Sequence, residues 1–308
     1  VKLIVPTHHS RAIQRISDAL AAHAPAGSEV ARPETIRKDV HRSRQIARED
    51  EGDLVVMLVN GLHDHFYYQA DRCRSRGQKF AVVQIALRTT RQPSTSQWRE
   101  LWKDAAVVWS YYPLDLWIGE DGGDPLDFNF YHAPLGVDAS VFTVEPAAAE
   151  RDVTVMTSGQ RRSQESVAEC DDAAADVGGR IAQLGPTFGL RAQAEFHSGL
   201  TDSELATLYR RCQFVSGLRR HEGFELPAAE GLLCGARPVL YEQEHYLRWY
   251  AGWAEFIPER GQRNVTRDLR KLFERGPRSV SAGERAAAAR LFDWGQIARG
   301  FWAASGVE

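Results

Sequence analysis

Short, largely apolar blocks without alternation recur along the chain: DLVVMLVN (53–60), FAVVQIAL (80–87) and AVVWS (106–110). A strand with one face in water alternates apolar and polar residues. Non-alternating blocks rich in apolar and β-branched residues therefore belong to strands covered on both faces, as in a parallel sheet between helices. Stretches with helical spacing separate the blocks. Ile13, Ile16 and Leu20 share one face of a helix over 11–23, and a helix over 66–76 ends at Gly77. Ser94 or Ser96 caps a third helix, which carries Trp98, Leu101 and Trp102. With Lys2–Pro6 as a first strand, this alternation predicts a doubly wound α/β sheet.

The pattern then restarts. Residues 118–130 (IGEDGGDPLDFNF) read as a loop and 143–152 (TVEPAAAERD) as a linker. Beyond them the sequence predicts strands at 153–157, 192–196, 214–217 and 238–241. Helices are expected from 166 onward, over 201–211 behind Thr201 or Asp202, and over 226–234 up to Gly235. A chain of 308 residues suits two domains, expected at 1–145 and 146–294, with 295–308 packing back on the first. Both halves read as Rossmann-like, which places a ligand at the carboxyl ends of the strands.

Composition sets limits. Hydrophobic residues make up 43% and charged residues 26%, an ordinary globular balance. No run of 18 apolar residues exists to form a membrane span, and the first apolar run is too short for a signal-peptide core. Cys73, Cys170, Cys212 and Cys234 lie far apart without metal-type spacing, so free thiols in a reducing cytoplasm are expected, with Cys212 and Cys234 in the core. A net charge of −3 argues against a general nucleic-acid binder. The charge is uneven: residues 104–150 hold nine acidic residues and no Lys or Arg.

The segment with the most chemistry is EGFELPAAEGLLCGARPV (222–239). Pro227 suits the first turn of a helix. The backbone N–H groups of Phe224, Glu225 and Leu226 would then face out of a helix N-terminus, a site for an anion such as a diphosphate. Glu222 and Glu230 flank that site as acceptors for sugar hydroxyls. On pattern alone, an amphipathic helix with solvent-facing glutamates fits equally well.

This segment resembles the E-x7-E signature of glycosyltransferase family 4, usually close to EGFGLPxxEAMACGxPV. Three further stretches agree in order. Pro134–Asp138 through Phe142 resembles the PNGVD…F segment; Leu205–Tyr209, after Gly199, resembles the helix before the motif strand; and Phe292-Asp293-Trp294 with Ile297-Ala298 resembles the closing helix. The resemblance covers about 130 to 308. It implies an α/β GT-B fold, two Rossmann-like domains facing across a cleft, and retaining transfer from a nucleotide sugar, commonly a UDP-sugar, with no bound metal or cofactor. It places Glu222 by the donor sugar and Glu230 at the ribose. Gly159, Leu200, Gly223 and the backbone of Phe224, Glu225 and Leu226 fall in the donor site. Residue 225 is Glu where the family often has Gly.

The departures are specific. The family's Gly pair after the first strand is replaced by Pro6-Thr7-His8-His9-Ser10, where His8 or His9 is a candidate contact to phosphate or acceptor, or a plain loop histidine. The usual Gly-Arg and Lys of the second domain become Gly159-Gln160-Arg161-Arg162, with Arg161 or Arg162 as the candidate cation and no lysine nearby. The family's histidine after the strand at 80–87 is missing. His63, in Asn60-Gly-Leu-His-Asp64-His65, stands at another strand end as a candidate replacement or a polar turn. His63, Asp64 and His65 lack further ligands for a metal. For the acceptor, Arg88, Arg91 and Tyr111 stand among Arg72, Arg74, Arg76, Lys79, Trp98, Trp102, Trp109 and Tyr112. Arginines interleaved with aromatics suit phosphates and stacked rings; a solvated helix plus core tryptophans is the plainer reading. The segment LRTTRQPSTSQWRELWKDAAVVWSYY (87–112) resembles phage-encoded glycosyltransferases, making a hydroxymethylated base in DNA one acceptor candidate. No basic amphipathic N-terminal helix points to a membrane-bound acceptor. A non-catalytic GT-B module binding a sugar nucleotide or nucleic acid is the alternative.

Overall fold

The computed structural model describes residues 1–8, 10–33, 52–60, 64–85, 95–113, 128–148, 150–159, 165–220 and 223–307. They form two compact units: Val1–Leu135 with Trp294–Glu308, and Gly136–Asp293. The 145/146 boundary suggested by linker composition falls inside the second unit, because Phe142 packs on Tyr209 at 6.1 Å between ring centroids.

The first unit is a six-stranded sheet in the order β2-β1-β3-β4-β5-β6, every pair parallel. Its strands are β1 (Lys2–Ile4), β2 (Glu29–Ala31), β3 (Leu54–Val59), β4 (Lys79–Gln84), β5 (Val108–Ser110) and β6 (Phe130–His132). All six residues of β3 are buried, as its unbroken apolar run requires. Phe130, expected at the end of a loop, is the first residue of β6. The helices are α1 (Arg11–Ala22), α2 (Asp64–Ser75) and α3 (Thr95–Trp102). Trp98, Trp102 and Trp109 are at most 1% exposed and form the centre of this unit's core.

The second unit has the order β12-β11-β10-β7-β8-β9, again all parallel. Numbered within the unit this is 6-5-4-1-2-3, the dinucleotide-fold order. Its strands are β7 (Val153–Thr157), β8 (Arg180–Leu184), β9 (Gln193–His197), β10 (Cys212–Gly217), β11 (Arg237–Tyr241) and β12 (Glu255–Ile257). Its helices are α4 (Val167–Asp176), α5 (Asp202–Arg211), α6 (Leu226–Leu233), α7 (Glu244–Tyr250), α8 (Gln262–Arg275) and α9 (Ala282–Leu291). One sheet face carries α4 and α8, with Phe214, Val155 and Val239 packed against Cys170, Leu269 and Phe273. The opposite face carries α6. Val215, one residue on from Phe214, points that way, and a Cβ at Gly231 would lie 2.6 Å from its methyl. That close approach lets α6 lie directly on β10.

The last helix, α10 (Trp294–Ala304), belongs to the first unit. Tyr131 donates its hydroxyl to Ile297 O at 3.0 Å, the Trp302 indole donates to Leu20 O at 3.1 Å, and Phe301 packs on Trp109. Among the described residues no helix is long and apolar enough to cross a membrane.

Candidate functional site

In a doubly wound sheet the ligand crevice opens where neighbouring strands send their connections to opposite faces. In the second sheet that point lies between β7 and β10, since β7 leads to α4 and β10 leads to α6. The carboxyl ends there are Ser158-Gly159 and Leu218-Arg219-Arg220, and the loop after β10 leads straight into α6.

Helix α6 begins at Leu226, with Glu225 as its N-cap and Pro227 in its first turn. The Glu225 side chain makes no capping hydrogen bond to the first turn. Pro227 removes one amide that would otherwise need an acceptor, and Ala228 and Ala229 N–H turn back to Glu225 O. The Glu225 side chain points elsewhere. It is 1% exposed, and Oε1 accepts from the Tyr246 hydroxyl at 3.2 Å while the Tyr250 hydroxyl donates to Glu225 O at 2.8 Å. Phe224 is buried against Tyr250 and Phe292, 5.6 and 5.5 Å between centroids. The described part of the motif thus folds with aromatic anchors inward, and the Glu225 side chain turns away from the first turn of α6.

Glu230 stands one turn into α6 and is 2% exposed. Its Oε2 accepts from the Tyr209 hydroxyl at 2.9 Å. Burial, then the facing Glu230 charge, pushes the Tyr209 hydroxyl well above its ordinary pKa, so it stays a donor. The solvent-facing glutamate of the plain amphipathic-helix reading is not what α6 holds at 230. Gly159 is buried, and a Cβ there would lie 2.6 Å from Val167 and 3.0 Å from Glu165. Its carbonyl accepts from Gln183 Nε2 at 2.9 Å. Leu200 is half-buried just before Thr201, which caps α5 in a reciprocal box with Glu204.

Sequence reasoning passed over Arg219. Its Nη2 donates to Ser158 O at 3.0 Å and to Ser158 Oγ at 2.9 Å, and its Nε lies 3.5 Å from Glu225 Oε2. It therefore joins the ends of β7 and β10. Arg220 beside it pairs with Glu169 at 2.9 Å and covers the Tyr241 ring. The readable signal was the arginine pair Arg219-Arg220, separated from Glu222 by His221 alone.

In the first sheet the switch point lies between β1 and β3. His8 follows β1, half-buried; its Nδ1 accepts from Ser10 N–H at 2.9 Å, which makes Nε2 the protonated nitrogen of the neutral ring. His9, Gly61, His63, Arg88, Arg91, Arg161, Arg162 and Glu222 lie outside the described residues. Tyr111 is corrected by the structure. It is 5% exposed and donates its hydroxyl to the Ile85 carbonyl, so it is a core ring and not a stacking face. Tyr112 and the neighbouring tryptophans are buried too. Arg74 is held by Asp71, Asp104 and the carbonyls of Glu100 and Lys103. All four cysteines are free and buried; burial pushes the Cys170 and Cys234 thiols up to about 12 and Cys212 higher still. Among the described residues no cluster of three or more His, Cys, Asp or Glu is placed to hold a metal ion.

Solved structures share this architecture. Anabaena Alr3699/HepE in complex with UDP superposes with a TM-score of 0.73, 13% identity and 97% of each chain covered. The sucrose-phosphate synthase tll1590 of Thermosynechococcus elongatus gives 0.70 at 13% identity over 97% of this chain and 96% of that one. The chain has the GT-B fold. No family model matches it. The serotype-specific mannosyltransferase WbdA of Escherichia coli is 34% identical over 128 residues, 39% of this chain. A second form of that name is 36% identical over 99 residues, 31% of this chain. The matched stretches span 15% and 11% of those relatives' lengths. In this fold the start of α6 and the ends of β7 and β10 meet at the switch point of the second sheet and form the candidate ligand site.

Proposed function

We propose that the chain is a retaining glycosyltransferase, moving a sugar from a nucleotide sugar to an acceptor hydroxyl without a metal ion. The observation that carries this is the position of the α6 N-terminus, at the switch point of a dinucleotide-type sheet and with a proline in its first turn. Such a terminus favours negative charge. The relatives named mannosyltransferases and the GT-B neighbours with UDP support the same class.

In this reading the amides of Phe224, Glu225 and Leu226 face the diphosphate, and Gly159 and Leu200 border the nucleotide. Arg161 or Arg162 adds positive charge as the leaving group develops. Glu230, held by Tyr209, accepts from the ribose, and Glu222 lies by the donor sugar. The acceptor hydroxyl attacks the anomeric carbon on the face the diphosphate leaves. The departing phosphate takes the proton, so the protein supplies position and charge stabilisation. His8, which follows β1, and His63, four residues past β3 in the sequence, are the candidate contacts to the transferred sugar or acceptor. The burial of Tyr111 and the tryptophans removes the stacking argument for a DNA acceptor. Glycan acceptors are therefore tested first, and DNA with hydroxymethylated bases second.

The test is a transfer or donor-hydrolysis assay with UDP- and GDP-hexoses, in EDTA. Glu222→Ala should lower turnover at least a hundredfold with an unchanged circular-dichroism spectrum. Unchanged turnover would overturn the assignment of Glu222. Donor binding without hydrolysis or transfer to any acceptor would favour the non-catalytic module.

A further inference from the structure

The residues around Glu225 carry one more inference, which rests on the donor-binding reading above. A buried carboxylate at the N-cap of α6 is unusual beside an anion site. Two negative charges a few ångströms apart in a poorly solvated place repel strongly, and an uncompensated buried charge is costly. The resembling family often has Gly at that position, which brings no such charge. Here the end of β10 is shaped to admit the larger residue: a Cβ on Gly217 would lie 2.9 Å from Glu225 Cγ. The countercharge comes from Arg219, 3.5 Å from Glu225 Oε2. Arg219 is itself aimed by two bonds to Ser158, and it lies 3.8 Å from Glu165.

We propose that Arg219 is a positioning residue for the donor diphosphate: it neutralises Glu225, so the first turn of α6 keeps its attraction for phosphate, and it holds the β7 and β10 loop ends together. Its effect runs through Glu225 and not through contact with the ligand. Glu225 and Arg219 are then a compensating pair, and the penalty for removing the arginine depends on the carboxylate.

The experiment measures UDP and GDP binding calorimetrically in four proteins: wild type, Arg219→Met, Glu225→Gln and the double variant. Arg219→Met should raise Kd at least tenfold in the wild-type background and less than threefold in the Glu225→Gln background. Equal losses in both backgrounds would mean that Arg219 touches the ligand, and would overturn the proposal. No loss in either background would overturn it as well. A wild type that binds neither nucleotide overturns the donor-binding reading, and the role of Arg219 in it falls too. Arg219→Gln keeps a donor for Ser158 without the charge. It gives the same comparison if the methionine variant does not fold.

Discussion

Tyr209 is fully buried and gives its hydroxyl proton to Glu230, the second glutamate of the motif. Such a donor does two things: it satisfies a carboxylate with little access to water, and it fixes where that carboxylate sits. Tyr209→Phe removes the bond while keeping the ring against Phe142. The expected cost is about 1–3 kcal/mol in urea denaturation, because an acceptor is left buried without this partner. Nucleotide affinity should weaken as well. A stability loss without any change in affinity would make Glu230 a structural residue and remove it from the ribose. At this scale the sequence was partly readable. The order of Phe224, Pro227 and Glu230 pointed to a helix start, and α6 does begin at Leu226. The burial of Glu225 and its pairing with Arg219 were not readable, because a charged letter does not say which way it points. Tyr111 failed for a related reason: an aromatic beside arginines reads the same whether it stacks on a ligand or fills a core.

At the scale of elements, α9 has an explicit start signal. Ser281 and Glu284 form a reciprocal cap, and Glu284 also meets Arg237, which is fully buried, at 3.0 Å. Arg237 further donates to the carbonyls of Trp253, Arg278 and Ser279, so it ties the segment before α9 to β11. Burial opposes ionisation of Glu284, but the bonds from Arg237 and the Ser281 cap outweigh it and hold the carboxyl down at about 2. A folded-state pKa below the unfolded value of about 4.3 means that this carboxylate stabilises the fold fully above that value. Its contribution fades as pH falls toward 2. The gap in urea midpoint between wild type and Glu284→Gln should therefore be widest above about pH 5 and close between pH 4 and pH 2. A gap constant across that window would contradict the account. The Ser-x-x-Glu pattern before α9 and the spacing of Val265, Leu269, Leu272 and Phe273 on α8 stand in the letters, but the expectations from sequence used neither and included no helix there. The three-residue strands β2 and β12 were not legible, because so few residues carry no period.

For the whole molecule, alternating apolar blocks were enough to foretell two parallel sheets, since a strand buried on both faces needs helices on both sides. Strand order is a property of non-local pairing and came only with the structure: 6-5-4-1-2-3 within the second unit, and β2-β1-β3-β4-β5-β6 in the first. The return of α10 to the first unit depends on Gly300, where any Cβ would run into the Tyr131 ring, a close approach that composition does not display. The strand order is what makes the motif a candidate site, because it brings the end of β7 beside the end of β10. The most direct check of that site is a thermal-shift panel of UDP-, GDP-, ADP- and dTDP-sugars in metal-free buffer. The account predicts that one nucleotide class raises the melting temperature; a ligand at a hundred times its Kd adds about 2.7 kcal/mol. A folded protein whose melting temperature no member of the panel moves would contradict it.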